Sequence, residues 1–422
     1  MAEYYHAHKV IPEKCRGHMA CVRQCPTQAI RIRNGKAVIS EELCVDCGTC
    51  ISACPSGAIV PITDPLAEIS HFKYKIVVPS PVLYAQFDSS IHPYIIHLAF
   101  KKMGFDEVVD VSTSYAALAR ALYKYIKQAG VRRPQISSHC PSIIRLIQVR
   151  YPDLVEQIVP LDVPREVTAR EIRKEMPRSL GLKPRDIGIV YVAPCPAIIV
   201  SIKQPAEKAR SYFDGAVSIK EVYSALVPLI AEIREKFDES QVPEDFSFNS
   251  SWTTFGAVTI ASALEDWLAV SGLDHVMKIF DDIENSRIRN VHYVEAMTCM
   301  LGCVGGAFGV ENPYVARTNS IKQQSKYANL IKTNDEYINN RLREGYFDLE
   351  NPILPRDTKY FDTDLETSIK RMKERERIYQ KLRQMDCGCC GAPTCLSFAE
   401  DVVRGEAQLT DCIFLAQTRR ED

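Results

Sequence analysis

The residues best equipped for chemistry in this chain are its sixteen cysteines, and all but Cys389 fall into three sets. The first set is a doubled run: Cys15, His18, Cys21 and Cys25-Pro26, then Cys44, Cys47, Cys50 and Cys54-Pro55. Iron in a cubane cluster takes four soft donors. A C-x2-C-x2-C loop brings three thiolates onto one cube, and a distant fourth closes it. In a doubled run the fourth ligand crosses over. This assigns Cys15, His18, Cys21 and Cys54 to one [4Fe-4S] cluster, and Cys44, Cys47, Cys50 and Cys25 to another. His18 stands where a cysteine is expected. Imidazole is a competent iron ligand, and exchanging a thiolate for it should raise the cluster's potential. The alternative is a surface histidine beside a three-iron or empty site.

A second set closes the chain: Cys387, Cys390 and Cys395, with a distant Cys412. Zinc is the competing occupant, and the neighbouring sets favour iron, with Cys389 a bystander. The remaining four, Cys140, Cys195, Cys299 and Cys303, have no compact spacing, so periodicity alone does not join them. A disulfide framework is the bland alternative, but such frameworks belong to small secreted domains short of core. This chain has 422 residues and 46% hydrophobic content. Its Met1-Ala-Glu-Tyr-Tyr start lacks a basic, then apolar, leader, so reduced thiols in a cytoplasm are expected. No run reaches the ~20 apolar residues that a bilayer demands. With 52 basic against 53 acidic residues, neither nucleic acid nor an anionic membrane is an expected partner.

These cysteines need elements to position them. Residues 1–65 read as a two-cluster domain whose halves are joined by a hairpin with an Asn34-Gly35 turn. The run Val60 to Pro65 reads as a linker. From 70 to 345, short apolar strands such as Lys75–Val78 and Ile187–Val192 alternate with helices such as Tyr115–Gln128 and Glu221–Phe237. That alternation predicts an α/β core whose functional residues gather beyond the carboxyl ends of strands. Residues 346–385 read as a polar linker and a charged helix. Thr363 and Glu366 would form its capping box, and Leu365, Ile369, Met372, Tyr379 and Leu382 its buried stripe. Residues 386–422 would form a small helical iron-sulfur domain.

The first run resembles a two-cluster bacterial ferredoxin. The terminal set resembles the four-iron domain of corrinoid iron-sulfur proteins. The flanks of the central set, Ser137-Ser138-His139-Cys140-Pro141, Ala193-Pro194-Cys195-Pro196 and Glu295-Ala296-Met297-Thr298-Cys299-Met300-Leu301-Gly302-Cys303, resemble in order the three signature segments of iron-only ([FeFe]) hydrogenases. The resemblance implies an H-cluster: a fourth cubane on Cys140, Cys195, Cys299 and Cys303, with Cys303 bridging to a diiron subcluster carrying CO, cyanide and azadithiolate. Pro79, Ser80, Pro194 and Met297 would line the diiron site.

Departures from that family's pattern matter as much. His139 replaces the cysteine at the proton-relay position, and an imidazole there would titrate around its ordinary ~6.5 before burial acts. Ile198 stands where a lysine meets a cyanide, Ala193 where a second methionine packs, and Arg165 is a candidate substitute donor. The helix Tyr115–Tyr125 lacks the usual acidic pair. Together these imply the divergent, sensory branch: slow reversible H2 oxidation and proton reduction, used for hydrogen or redox sensing. Its expected partners are H2, protons, a ferredoxin-like redox protein and a signalling protein, with a homodimer also considered. The alternative is an electron-transfer or assembly protein with cubanes and no diiron unit.

Overall fold

Continuous apolar runs, rather than alternating ones, mark strands buried on both faces, and such strands build parallel sheets under helices. The run Ile187–Ala193 is buried at every position, and it lies at the heart of such a sheet. In the computed structural model, which describes residues 4–128, 133–328, 335–356 and 364–418, strands are numbered in chain order. They are β1 (His8–Val10), β2 (Ile30–Arg33), β3 (Lys36–Ile39), β4 (Ile59–Pro61), β5 (Tyr74–Pro79), β6 (Glu107–Val108), β7 (Gln135–Ile136), β8 (Ile187–Ala193), β9 (Gly215–Ser218), β10 (Trp267–Ser271) and β11 (Tyr293–Met297).

Two parallel sheets carry the core. One has the order β6-β5-β8-β9 and the other β10-β11-β7. The mixed α/β architecture expected from the alternation is what the chain adopts. The helices predicted at 115–128 and 221–237 run over Ser112–Ile126 and Ile219–Arg234. Proline at the first helical position, whose missing N–H costs nothing there, opens Pro141–Arg150, Pro164–Leu180 and Pro196–Lys203.

In the ferredoxin-like region, β2 and β3 pair antiparallel from Ile30↔Ile39 to Arg33↔Lys36. Asn34 and Gly35 both have positive φ, as a tight hairpin turn of this kind requires. The expected linker needs a correction: Val60 and Pro61 belong to β4, which pairs with β1. Asp64 beyond it accepts a hydrogen bond from Ala216 N at 2.8 Å and pairs with Lys203 at 2.6 Å. The segment is therefore tied to the core sheet.

The charged helix runs Leu365–Lys381, capped by Asp364 accepting from Thr367 N. Thr363 of the expected capping box lies outside the described residues. The expected stripe is also shifted, because Ile369 and Met372 are 44% and 47% exposed while Ile378 and Leu382 are buried with Phe398 and Ala399. The buried residues lie in the last turns of this helix, where it packs on the terminal helix Cys395–Val403. No helix among the described residues is long and apolar enough to cross a membrane.

Candidate metal centre

The four central cysteines come off the carboxyl ends of strands in both sheets. Ser137-Ser138-His139 leads from β7 to Cys140, Pro194 from β8 to Cys195, and Thr298 from β11 to Cys299. Cys140 and Cys195 are the N-caps of Pro141–Arg150 and Pro196–Lys203. Both thiolates thus sit at the positive end of a helix dipole, where anions are stabilised. Cys303 is placed by glycines. Gly302 has φ +97°, and a Cβ there would lie 2.6 Å from Phe255 N. At Gly306 a Cβ would lie 2.5 Å from Pro194 O, which also accepts a hydrogen bond from Phe308 N at 2.9 Å. The Cys303 loop is thereby held against the Cys195 loop.

The four act on one another electrically. Burial, and then the nearby Cys140, push the Cys195 thiol up to about 12. Burial, then Cys195 and Cys140, raise Cys299, and burial, then Cys140 and Cys195, raise Cys303. Four half-buried thiols close enough to repel one another as anions suit one kind of occupant, a cationic metal group that takes all four as thiolates. All sixteen cysteines are free thiols. The Thr298 hydroxyl lies 3.5 Å from Cys140 Sγ.

Pro79, Ser80, Pro194 and Met297 are all buried, and Ser80 heads the short helix Pro81–Tyr84. Arg165 is buried, donates from Nη2 to Ser201 Oγ at 3.0 Å, and leaves its Nε without a partner. It borders a cavity of about 530 Å3 together with Ser138, Ser201 and Glu207. His139 lies edge-on to Trp252 with ring centroids 5.6 Å apart, and its Nδ1 has no partner. Burial, and then the charge of Arg165, push its pKa down to about 4, well below the value expected for a free imidazole.

Sequence reasoning missed two residues here, Tyr115 and Tyr191. Both are buried, and both feel the charges of Cys303 and Arg165. Burial raises Tyr191 to about 12, even though Arg165 and a hydrogen bond with Ser80 pull the other way. A tyrosine inside an otherwise aliphatic strand was the available sequence signal.

The same electrostatics put cysteines from both halves of the doubled run beside one another. Cys21 is raised by burial, then by Cys54 and Cys15. Cys50 is raised by burial, then by Cys47 and Cys25. Backbone N–H groups of Ala37, Ala29 and Ala58 donate to the sulfurs of Cys15, Cys25 and Cys54 at 3.3, 3.2 and 3.2 Å. His18 is exposed on its loop, whereas Cys15 and Cys21 are buried. Cys387, Cys390, Cys395 and Cys412 line one small cavity, with Phe398 beneath. Cys389, on the rim, is exposed.

Fold and site define an α/β iron-sulfur redox protein. The family of the iron only hydrogenase large subunit, C-terminal domain, matches residues 73–251 and 253–307, more than half of the chain. The chain belongs to the iron-only hydrogenase family. A 4Fe-4S dicluster domain family matches residues 14–58, and an Fe-S cluster family matches 382–414, which favours iron over zinc at the terminal set. Among curated relatives, Iron hydrogenase 1 of Clostridium pasteurianum is 24% identical over 393 residues, 76% of this chain and 67% of that protein. The NADP-reducing hydrogenase subunit HndD of Solidesulfovibrio fructosivorans is 23% identical over 335 residues, 64% of this chain and 56% of that protein. A solved variant of the [FeFe]-hydrogenase HydA1 from Chlamydomonas reinhardtii superposes with TM-score 0.49 at 14% identity, covering 69% of this chain and 96% of that one.

Proposed function

We propose that this chain is a slow, reversible hydrogenase, serving as a hydrogen or redox sensor and exchanging electrons with a ferredoxin-like partner. The observation that supports it best is the convergence of Cys140, Cys195, Cys299 and Cys303, from two sheets, beside a buried arginine with a free donor. These cysteines would hold the H-cluster cubane, with Cys303 bridging to the diiron subcluster. When bound, that group supplies the open iron at which H2 is split or formed. Arg165 would hold a cyanide through its unpartnered Nε, in place of the glutamine expected near that position. Pro79, Ser80, Pro194 and Met297 would keep water away, and His139 would pass protons.

Slow turnover follows from what surrounds His139. Its ring faces Trp252, and the small cavity it borders is mostly apolar, with Leu118, Leu122 and Val258 beside the polar Ser138, Asp162 and Tyr293. Asp162 is already paired with Lys208 at 2.8 Å, and a proton relay needs hydrogen-bonding groups in sequence. Anaerobic maturation followed by H2 oxidation with a redox dye tests the reading. Measurable turnover well below that of a standard hydrogenase is expected. A complete lack of turnover in protein carrying the diiron unit would overturn it.

A further inference from the structure

Among the described residues, the terminal iron-sulfur domain packs against the outer ferredoxin loop and the adjoining β2–β3 hairpin. Gly388, between Cys387 and Cys389, packs so tightly on Met19 that a Cβ there would lie 2.7 Å from Met19 Cε. Met19 directly follows His18. Gly391, next to Cys390, has φ +83°, and a Cβ would run into the Ile32 carbonyl oxygen. Ile32 N in turn donates to Gly391 O at 2.8 Å. Arg31 and Arg33 of the β2–β3 hairpin pair with the buried Asp401 at 2.7 and 2.5 Å, and Arg33 also reaches Cys390 O at 3.4 Å. Ser397 Oγ donates to Gln28 Oε1 at 2.5 Å. A flexible tether would need none of this. A glycine at 391 whose Cβ would strike backbone, and two arginines on one buried carboxylate, fix the terminal cysteines against the first cluster's hairpin and loop.

The inner loop faces the opposite way. A Cβ on Gly48, next to Cys47, would lie 2.6 Å from Ala307 Cβ and 2.9 Å from Pro196 Cδ. Pro196 follows Cys195, and Ala307 lies on the loop that follows Cys303. The four expected cluster sites therefore follow one another, with the terminal loop packed on the outer ferredoxin half and the inner loop packed on the central site.

We propose that the terminal domain is the electron port of this protein, and that electrons pass between an outside one-electron iron-sulfur carrier and the core in the order terminal cluster, His18 cluster, Cys47 cluster, central cubane. Each reduced carrier loses one electron to the terminal cluster. Two such transfers and two protons balance one H2, so the port rests on the hydrogenase reading only for what the electrons finally do.

The test uses the full chain, reconstituted anaerobically with iron and sulfide and without the diiron unit. Electron paramagnetic resonance of the dithionite-reduced protein should show the terminal cluster's signal split by its neighbour. The splitting should vanish in Gly391→Val and in the double variant Arg31→Ala/Arg33→Ala; the double variant leaves the cysteine loops untouched should Gly391→Val lose iron. With a reduced bacterial two-cluster ferredoxin as donor, stopped-flow reduction of the inner clusters should slow at least tenfold in the undocked protein. An unsplit wild-type signal, a wild-type protein without the terminal cluster, or undimmed reduction rates in the double variant would each overturn the port. Missing CO and cyanide bands after maturation would instead sink the hydrogenase reading, and would leave the splitting and the rates as they are.

Discussion

The two halves of the ferredoxin-like region have the same backbone and opposite surroundings. Aligned on their cysteines, Arg16, Gly17, His18 and Met19 of the outer loop stand against Val45, Asp46, Cys47 and Gly48 of the inner one. Gly17 and Asp46 both have positive φ, at 66° and 52°, and so do Met19 and Gly48, at 60° and 79°. Arg16 is exposed whereas Val45 is buried among Ile143, Ile144 and Cys140. Asp46 is fully buried, bound by Arg145 at 2.5 Å, His6 at 3.0 Å and His8 at 3.3 Å. Burial alone would raise its pKa, but the hydrogen bonds from His6 and His8 and the charge of Arg145 hold it well below the usual carboxylate range. Arg145 lies on the helix that follows Cys140, so this one carboxylate joins the inner loop to the central site. A repeated motif thus gives one loop built to be enclosed by the core and one built to face outward. At the outer loop the glycine that permits close approach belongs to the docking partner, as Gly388.

The comparison can be broken most forcefully at Asp46. Asp46→Ala leaves the buried Arg145 uncompensated, a loss of about 3–5 kcal/mol, seen as a lowered denaturant midpoint. A change below about 1 kcal/mol would show that the network is not what holds the loop. Gly48→Val meets both a positive φ and two occupied neighbours, and should cost about 2–4 kcal/mol. Met19→Gly, at the equivalent outer position, should change stability by under about 1 kcal/mol. Equal effects at the two positions would erase the distinction between the loops.

His18 sharpens the same contrast through potential. His18→Cys should lower the outer cluster's potential by on the order of 100 mV while keeping four irons, read by redox titration with paramagnetic resonance. A wild-type three-iron signal, or an unchanged spectrum in His18→Ala, would remove His18 from the ligands. The smallest effect is expected at the central site. His139→Cys should raise H2 turnover several-fold and His139→Ala should lower it. Equal rates in all three proteins would give His139 a packing role against Trp252 only.

Much of this arrangement is legible in residue order because its causes are local. Cysteine spacing, the Asn34-Gly35 turn and the prolines after Cys140 and Cys195 act within a few residues. The gathering of Cys140, Cys195, Cys299 and Cys303 is set by which strands neighbour one another in two sheets, and only a family resemblance reached it. Tyr115 and Tyr191 read as ordinary core aromatics until the fold sets them near Cys303. The terminal docking was invisible, since Gly388, Gly391, Arg31 and Arg33 look like loop glycines and exposed charges. The stripe read into 365–382 departs at Ile369 and Met372 for a related reason: helical period gives a face, and does not tell how far along the helix a neighbour extends to cover it.

The central claim is that this site holds a diiron unit on Cys303. Infrared spectroscopy of the anaerobically matured protein tests it most directly, with Cys140→Ala as the control. Bands of metal-bound CO and cyanide should appear in the wild type and be absent in Cys140→Ala, whose ferredoxin-like clusters should remain spectroscopically intact. A wild-type protein that fills its cubanes and shows no such bands would contradict the claim, and would make the chain an electron-transfer or assembly protein.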